Sequence, residues 1–392
     1  MLALLAPGQG SQKPGFLTPW LDHPDTGSAA AARLRWLSTL SGLDLVHLGT
    51  EADADEIKDT AKTQPLLVAA GLVAAASLPL HDVSVVAGHS VGELTAAALA
   101  GVLTPETAVA LAGVRGREMA AACALEPTGM SAVLGGDPDE VLARLAEYGL
   151  TPANRNGAGQ VVAAGSVDGL EKLAANPPAK ARVITLQVAG AFHTTYMAPA
   201  EAALGTIAGG VAVSDPTRLL LSNADGTAVA TGVEALNRLI HQVTSPVRWD
   251  LCQSALLDLG VTGAIELTPA GTLAGLAKRA LKGVEVVTVN TPDDLDAALD
   301  LASRHGGPAG HEPTVHFHVT VSPVAGNFTP AELREGDLVK AGTAVGQVEN
   351  RQGASPVNAA HTGVLAEWLA HPGDPVAPGQ PLARLHPSGA DL

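Results

Sequence analysis

The segment GHSVGE at Gly88–Glu93 constrains this chain more than any other feature. A β-branched run, Val83–Ala87, leads into it, and an Ala-rich run, Gly92–Ala100, leads out. G-x-S-x-G between a strand and a helix reads as a nucleophile elbow. The glycines give room for a strained turn that pushes the serine hydroxyl out, and the helix N-terminus behind it stabilises negative charge. Such a turn needs a sheet beneath it. The preceding residues have the rhythm of one: a strand at Leu2–Ala6, a Gly-rich loop at Gly8–Gly15 and a buried helix over Thr60–Ser77. That alternation implies a parallel sheet with helices on its faces.

The rhythm changes after the elbow. Met130–Leu134 reads as a strand, and Pro138–Tyr148 as a helix with Asp137 as its N-cap. Pro152–Asn156 and Gln160–Ala164 read as strands joined by a hairpin at GAG, Val167–Ala175 as a helix and Arg182–Val188 as a strand. The order βαββαβ is ferredoxin-like and predicts a subdomain at about residues 128–190, inserted in the larger domain. That domain resumes near His193 with strands at Arg218–Ser222, Gly263–Glu266 and Val284–Val289, and helices at Val233–Gln242, Trp249–Leu259 and Thr272–Ala280. The expected fold class is therefore α/β, a parallel-sheet core of the α/β-hydrolase kind over residues 1–305 carrying the inserted subdomain. Residues 306–311 read as a Gly- and Pro-rich linker. Residues 312–392 are short β runs punctuated by Gly and Pro. Within them EGDLVKAGTAVGQV is echoed by PGDPVAPGQPLARL, which suggests an all-β flattened barrel of two similar halves.

Bulk properties narrow the function. The 392 residues suit two domains, and 46% hydrophobic with 16% charged residues excludes global disorder. A net charge of −16 argues against nucleic acid and anionic membranes as partners. Cys123 and Cys252 offer neither a disulfide framework nor a metal knuckle. The start, MLALLAPGQG, has no basic leader and reads as a buried strand, while the apolar stretch Pro65–Leu80 reads as a core helix. These features predict a cytoplasmic protein.

A serine nucleophile needs a base, and the chain has 13 histidines. His193, in GAFHTTYM, follows a strand end, where α/β sheets present functional residues. His89 adjoins Ser90 but points elsewhere on an elbow, in a supporting role. An oxyanion hole needs backbone N–H groups, for which Val91 and, in the loop GQGSQ at Gly8–Gln12, Gln9 are the candidates. The same loop as a phosphate cradle is the weaker reading, because Lys-Ser/Thr and GxGxxG are absent. His316 and His318, with His311 nearby, could share a strand face as metal ligands; with no third ligand evident, an ordinary alternating strand is favoured and no metal is expected.

PGQGSQ, GHSVGE, VRGREM, NGAGQVVAAG, GAFH and QVTSPVRW occur in the order found in malonyl-CoA:acyl carrier protein transacylases, and the resemblance covers about residues 1–300. It looks like the actinobacterial fatty-acid type, and related transferase domains serve polyketide synthesis. The resemblance lifts His193 above the other histidines. It implies that Ser90 carries the acyl group, His193 acts as base and then acid, and the Gln242 backbone carbonyl orients the histidine in place of a triad acid. It implies further that Gln9 and Val91 form the oxyanion hole, that Arg115 grips the malonyl carboxylate with a two-pronged guanidinium, and that His89 and Asn156 contact substrate. Malonyl-CoA and acyl carrier protein are then the partners, with no cofactor beyond the coenzyme A thioester. An acidic carrier would need a local basic patch, for which Arg115, Arg117, Lys278 and Arg279 are candidates.

Residues 312–387 resemble a biotinyl/lipoyl-like domain. Gln352 falls where that family carries its modified lysine, and the domain's only lysine, Lys340, is elsewhere. No biotin or lipoate attachment is expected, and the domain is expected to dock a protein partner. Two competing functions use the same residues. A serine thioesterase or hydrolase would leave Arg115 and the GQGSQ loop without a task. A non-catalytic scaffold would leave Ser90, His193 and Arg115 without one.

Overall fold

The structure is a computed structural model that describes residues 1–307, 318–351 and 353–387. Internal contacts divide the chain into two units, Met1–Gly310 and His311–Leu392.

Strands β1 (Leu2–Ala6) and β2 (Val85–Gly88) open the first unit. β3 (Thr128–Gly135), β4 (Thr151–Gly157), β5 (Gln160–Ser166) and β6 (Ala181–Thr185) follow as a group, and β7 (Leu219–Leu221), β8 (Gly263–Leu267) and β9 (Glu285–Val289) complete it. The main sheet has the order β7-β2-β1-β8-β9, with every pair parallel. β1 lies at its centre and is buried throughout, so LALLA shows no polar alternation. Successive side chains instead serve two cores. Leu2 and Leu4 join the cluster with Leu66, Leu67, Leu94 and Ala108. Ala3 and Leu5 join Trp249, Cys252, Leu273 and Leu276 on the other face.

β3 to β6 form a separate antiparallel sheet in the order β4-β5-β3-β6, with helices Pro138–Glu147 and Val167–Ala175 and a small core of Val133, Val141, Leu145, Ala163 and Leu173. The β4–β5 turn places Ala158 at φ 47° and Gly159 at φ 73°, the paired left-handed residues of a tight hairpin whose twist matches its strands. β6 stops at Thr185 rather than reaching Val188. From there the chain leaves the small sheet, and it returns His193 to the main one.

Helices Gly27–Ser41, Pro105–Cys123, Ala198–Ala208 and Leu295–His305 stand where the sequence was given no element. For Pro105–Cys123 the start signal was present: Thr104 caps it by accepting from the Thr107 N–H, and Pro105 fills its first position. Its Ala- and Gly-rich body blurs the periodicity that would have extended the reading. Among the described residues, no helix is long and apolar enough to cross a membrane.

The second unit is all β. Its strands are β10 (His318–Val321), β11 (Gly326–Pro330), β12 (Leu338–Val339), β13 (Ala344–Asn350), β14 (Gly353–Asn358), β15 (Gly363–Trp368), β16 (Pro375–Val376) and β17 (Pro381–Pro387). They form two four-stranded sheets, β10-β17-β15-β12 and β14-β13-β11-β16, around a core that includes Phe328, Val345, Val348, Leu365, Leu382 and Leu385. The internal echo is structural. β11, β12 and β13 begin at 326, 338 and 344, and β15, β16 and β17 repeat that spacing from 363, 375 and 381. Exchanging each strand for its counterpart, with β10 standing for β14, turns one sheet's order into the other's. His311, His316, Gln352 and most of the linker lie outside the described residues. The His318 ring stacks on His361 at 4.1 Å, and no group of three metal-ligating side chains occurs among the described residues.

Candidate active site

The elbow forms as its glycines require. A Cβ at Gly88 would lie 2.1 Å from the Gly92 backbone, and one at Gly92 would lie 2.2 Å from the Ala6 carbonyl oxygen. Ser90 between them takes φ 54°, a left-handed conformation that a serine holds only when its surroundings impose it. Its Oγ lies 2.7 Å from His193 Nε2. His193 is itself left-handed, at φ 60°, and its Nδ1 donates to the Gln242 backbone carbonyl at 2.8 Å. That bond fixes the tautomer: Nδ1 holds the ring proton, and Nε2 is free to accept one from Ser90. Burial, and next the Arg115 charge, push His193 far below the ordinary imidazole value, to about 3, so the base is neutral at physiological pH.

Arg115 comes from the helix Pro105–Cys123 and is buried. Its Nη1 donates to Gln64 Oε1 at 2.6 Å and its Nη2 to Gln242 Oε1 at 2.8 Å, and Nη2 lies 3.5 Å from Ser90 Oγ. Burial lowers its pKa to about 10, which leaves it charged. A buried cation whose direct partners are neutral amides is poised to receive an anion beside the nucleophile. This placement removes Arg115 from any surface patch; of the four cationic candidates, Arg117, Lys278 and Arg279 are the exposed ones.

The backbone amides expected to form the oxyanion hole are unpaired: the N–H groups of Val91 and Gln9 have no hydrogen-bond partner among the described residues. The loop bearing Gln9 lies against the elbow, since a Cβ at Gly8 would meet the His89 carbonyl oxygen at 2.7 Å. Gln12 pins that loop by accepting from the Gly10 N–H and donating to the Ile57 carbonyl. Gln9, Gln12, Lys58 and Phe192 line a cleft of about 370 Å³ beside His193. His89 Nε2 meets Asn156 Oδ1 at 2.9 Å, with the imidazole edge on Trp249, so these two expected substrate contacts are joined to each other.

Sequence reasoning missed the groups behind the turn. Asn223, just past β7, accepts from the Ser90 N–H at 2.8 Å and donates to the Gly88 carbonyl at 2.7 Å, which clamps the elbow across its bend. Glu93 is buried in the first turn of helix Gly92–Leu99. It accepts from the Asn223 N–H at 2.6 Å and from Gln242 Nε2. Gln64 is a fully buried amide in the apolar helix Thr60–Ala75. A lone Gln in such a run, and an acid immediately after the elbow, were the available signals.

A serine with a neutral imidazole base, unpaired N–H donors and a buried cation can form and discharge an acyl-serine, with preference for acyl groups that carry an anion. Comparison with known proteins agrees. Residues 4–292 match the acyl transferase domain family. The chain is 55% identical over 306 residues to the malonyl CoA-acyl carrier protein transacylase of Mycobacterium tuberculosis, covering 77% of this chain and 100% of that protein. It is 31% identical to the transacylase of the same name from Escherichia coli, covering 76% and 99%. The crystal structure of MCAT from Mycobacterium tuberculosis superposes with a TM-score of 0.73 at 55% identity, covering 77% of this chain and 99% of that one. A type II polyketide malonyl-transacylase, solved in complex with its acyl-carrier protein, superposes with a TM-score of 0.71 at 29% identity, covering 76% and 99%. Through residues 4–292 the chain belongs to the acyl transferase domain family, among the malonyl CoA-acyl carrier protein transacylases.

Proposed function

We propose that this protein transfers a malonyl group from coenzyme A to the phosphopantetheine thiol of an acyl carrier protein, through malonyl-Ser90, for fatty-acid or polyketide synthesis. The observation that carries this reading is the buried Arg115 guanidinium, 3.5 Å from Ser90 Oγ and held by two neutral amides. A hydrolase of uncharged esters has no use for a desolvated cation there.

Ser90 Oγ attacks the thioester carbonyl while His193 Nε2 takes its proton. The tetrahedral oxyanion is met by the Val91 and Gln9 N–H groups. The C–S bond breaks, His193 returns the proton to the sulfur, and coenzyme A leaves as a thiol. The carrier's thiol then gives its proton to His193 and attacks the malonyl ester, and Ser90 Oγ recovers the proton as it leaves. Substrate binding itself tunes the base. A malonyl carboxylate against Arg115 offsets the cation that depresses His193, which raises the proton affinity of Nε2 as the complex forms. Asn156 and His89 flank the substrate, and the Asn156 amide nitrogen has no partner among the described residues. The steps use these side chains and the thioester, with no further cofactor.

For the second unit we infer a biotinyl/lipoyl-like domain that carries no attached group and docks a protein partner. Its two repeat-related sheets support this reading. Peptide mass mapping after co-expression with a biotin or lipoate ligase should return residues 318–387 unmodified, and an adduct there would overturn the inference. A cytosolic location is part of the reading and rests on the unpaired thiols of Cys123 and Cys252.

Incubation with malonyl-CoA, acid quench and peptide mapping test the function. A malonyl adduct on Ser90, discharged by holo-acyl carrier protein, is expected. Steady release of coenzyme A without an adduct would make the protein a hydrolase, and neither adduct nor release would make it a scaffold.

A further inference from the structure

We propose that Glu93 is a positioning residue for malonyl selection: its carboxylate fixes which way round the Gln242 side-chain amide lies, and that amide in turn holds Arg115 for the acyl carboxylate. The inference rests on the malonyl-transfer reading of the same site.

Glu93 is 5% exposed, and a buried acid is costly unless its partners compensate. Both of its oxygens face N–H groups, the Asn223 backbone amide and Gln242 Nε2. That is the arrangement of a carboxylate, because a protonated acid would aim its O–H at a donor. Burial, the largest influence, raises its pKa to about 8 against the pull of the two N–H donors and the Arg115 charge; the N–H donor facing each oxygen is what marks the ionised form.

The amide of Gln242 can lie in two orientations of nearly equal shape, and its neighbours choose one. In the structure Nε2 faces Glu93, the Ser90 carbonyl at 3.1 Å and Asn223 Oδ1 at 3.3 Å. All three are acceptors. Oε1 is thereby turned to Arg115 Nη2 at 2.8 Å. The reverse orientation would set an oxygen against three acceptors and an NH2 against a guanidinium. Glu93 is the charged member of that set. It thus balances Arg115 from one amide away and leaves the guanidinium free to take the substrate carboxylate. The Ser90–His193 pair is served separately, because His193 is held by the Gln242 backbone carbonyl and not by the side chain.

Glu93→Gln tests this in a nearly isosteric way. A glutamine has one acceptor for two donors. If it keeps the Asn223 N–H, its own NH2 meets Gln242, whose amide must turn over and present NH2 to Arg115. Acylation of Ser90 by malonyl-CoA and by acetyl-CoA would be followed in wild type and variant. The malonyl kcat/KM should fall about 10- to 100-fold, the worth of a hydrogen bond to a charged group, mainly through KM. Acetyl transfer should change by a few-fold at most, so the malonyl-over-acetyl preference collapses. Parallel losses on both substrates would show a merely structural role, and unchanged malonyl kinetics would remove any role; either result overturns the inference. If Glu93→Gln does not fold, Glu93→Met carries the same test, because it keeps the buried volume and deletes the carboxylate that orients the Gln242 amide; the same selective loss is expected. A wild type that fails to transfer malonyl would sink the function and this inference together, whereas an active wild type with an unselective variant sinks only the inference.

Discussion

The two units bury polar side chains in opposite ways. In the first, Gln64, Glu93, Arg115, His193, Asn223 and Gln242 are all buried and converge around Ser90. In the second, the buried polar side chains among the described residues are two hydroxyls, Thr320 and Ser322. The second unit is stabilised by apolar packing across two small sheets, and no charged residue is buried among its described residues. The first holds a cation, a carboxylate and an imidazole out of water, which hydrophobic replacements of similar volume would often improve upon for stability. Charged groups retained at that cost mark where chemistry is done, and by this measure the first unit is where it lies.

Four experiments can break or sharpen that contrast. The largest effect is expected from Ser90→Ala, which should abolish the acyl-enzyme and lower kcat/KM by at least about 10⁴-fold, because the remaining groups have no nucleophile to assist. Loss of the malonyl adduct by mass, with the thermal transition retained, is the measurement. The second unit should respond in stability alone. Phe328→Ala, at a fully buried ring that packs on Trp368, should cost that unit about 3–5 kcal/mol in denaturant unfolding while Ser90 malonylation changes less than about twofold. A large loss of acylation would show that the second unit contributes to the chemistry of the first.

Arg115→Ala comes next. Losing the partner of a substrate carboxylate in a dry site should lower malonyl kcat/KM by about 3 kcal/mol, roughly 10²-fold, while acetyl transfer persists. Equal losses for both acyl groups would argue that Arg115 serves packing and not selection. The smallest effect is in pH dependence. The folded His193 pKa lies below its unfolded value, so its contribution to stability is present above about pH 6.5 and is lost as pH falls toward 3. By the same sign, the acid limb of kcat/KM for Ser90 acylation should lie well below 6.5 in wild type. In Arg115→Ala, followed with acetyl-CoA, the second-largest depressing cause is gone and the limb should move upward. An unmoved limb would show that Arg115 contributes little and that burial dominates.

The nucleophile was legible because its determinants are local. Gly88, Ser90 and Gly92 fall within five residues, and steric exclusion at the two glycines dictates the turn wherever it occurs. The alternation of buried strands and helices around it was legible for the same reason, as was the echo between the halves of the second unit. The long helices Gly27–Ser41 and Pro105–Cys123 were not, because small residues pack closely without leaving a strong apolar stripe. His193 could be separated from the other histidines by resemblance, not by pattern.

What the sequence by itself determined is therefore the strained serine, its parallel sheet and the β architecture of the second unit, all set by sterics and side-chain period over a few residues. Only the tertiary structure decided what surrounds that serine. Gln242 reaches Glu93 across 149 positions and Ser90 across 152, and Asn223 reaches Ser90 across 133. A hydrogen bond depends on distance and direction in space, and at such separations both are set by how the sheet stacks its strands rather than by any spacing along the chain.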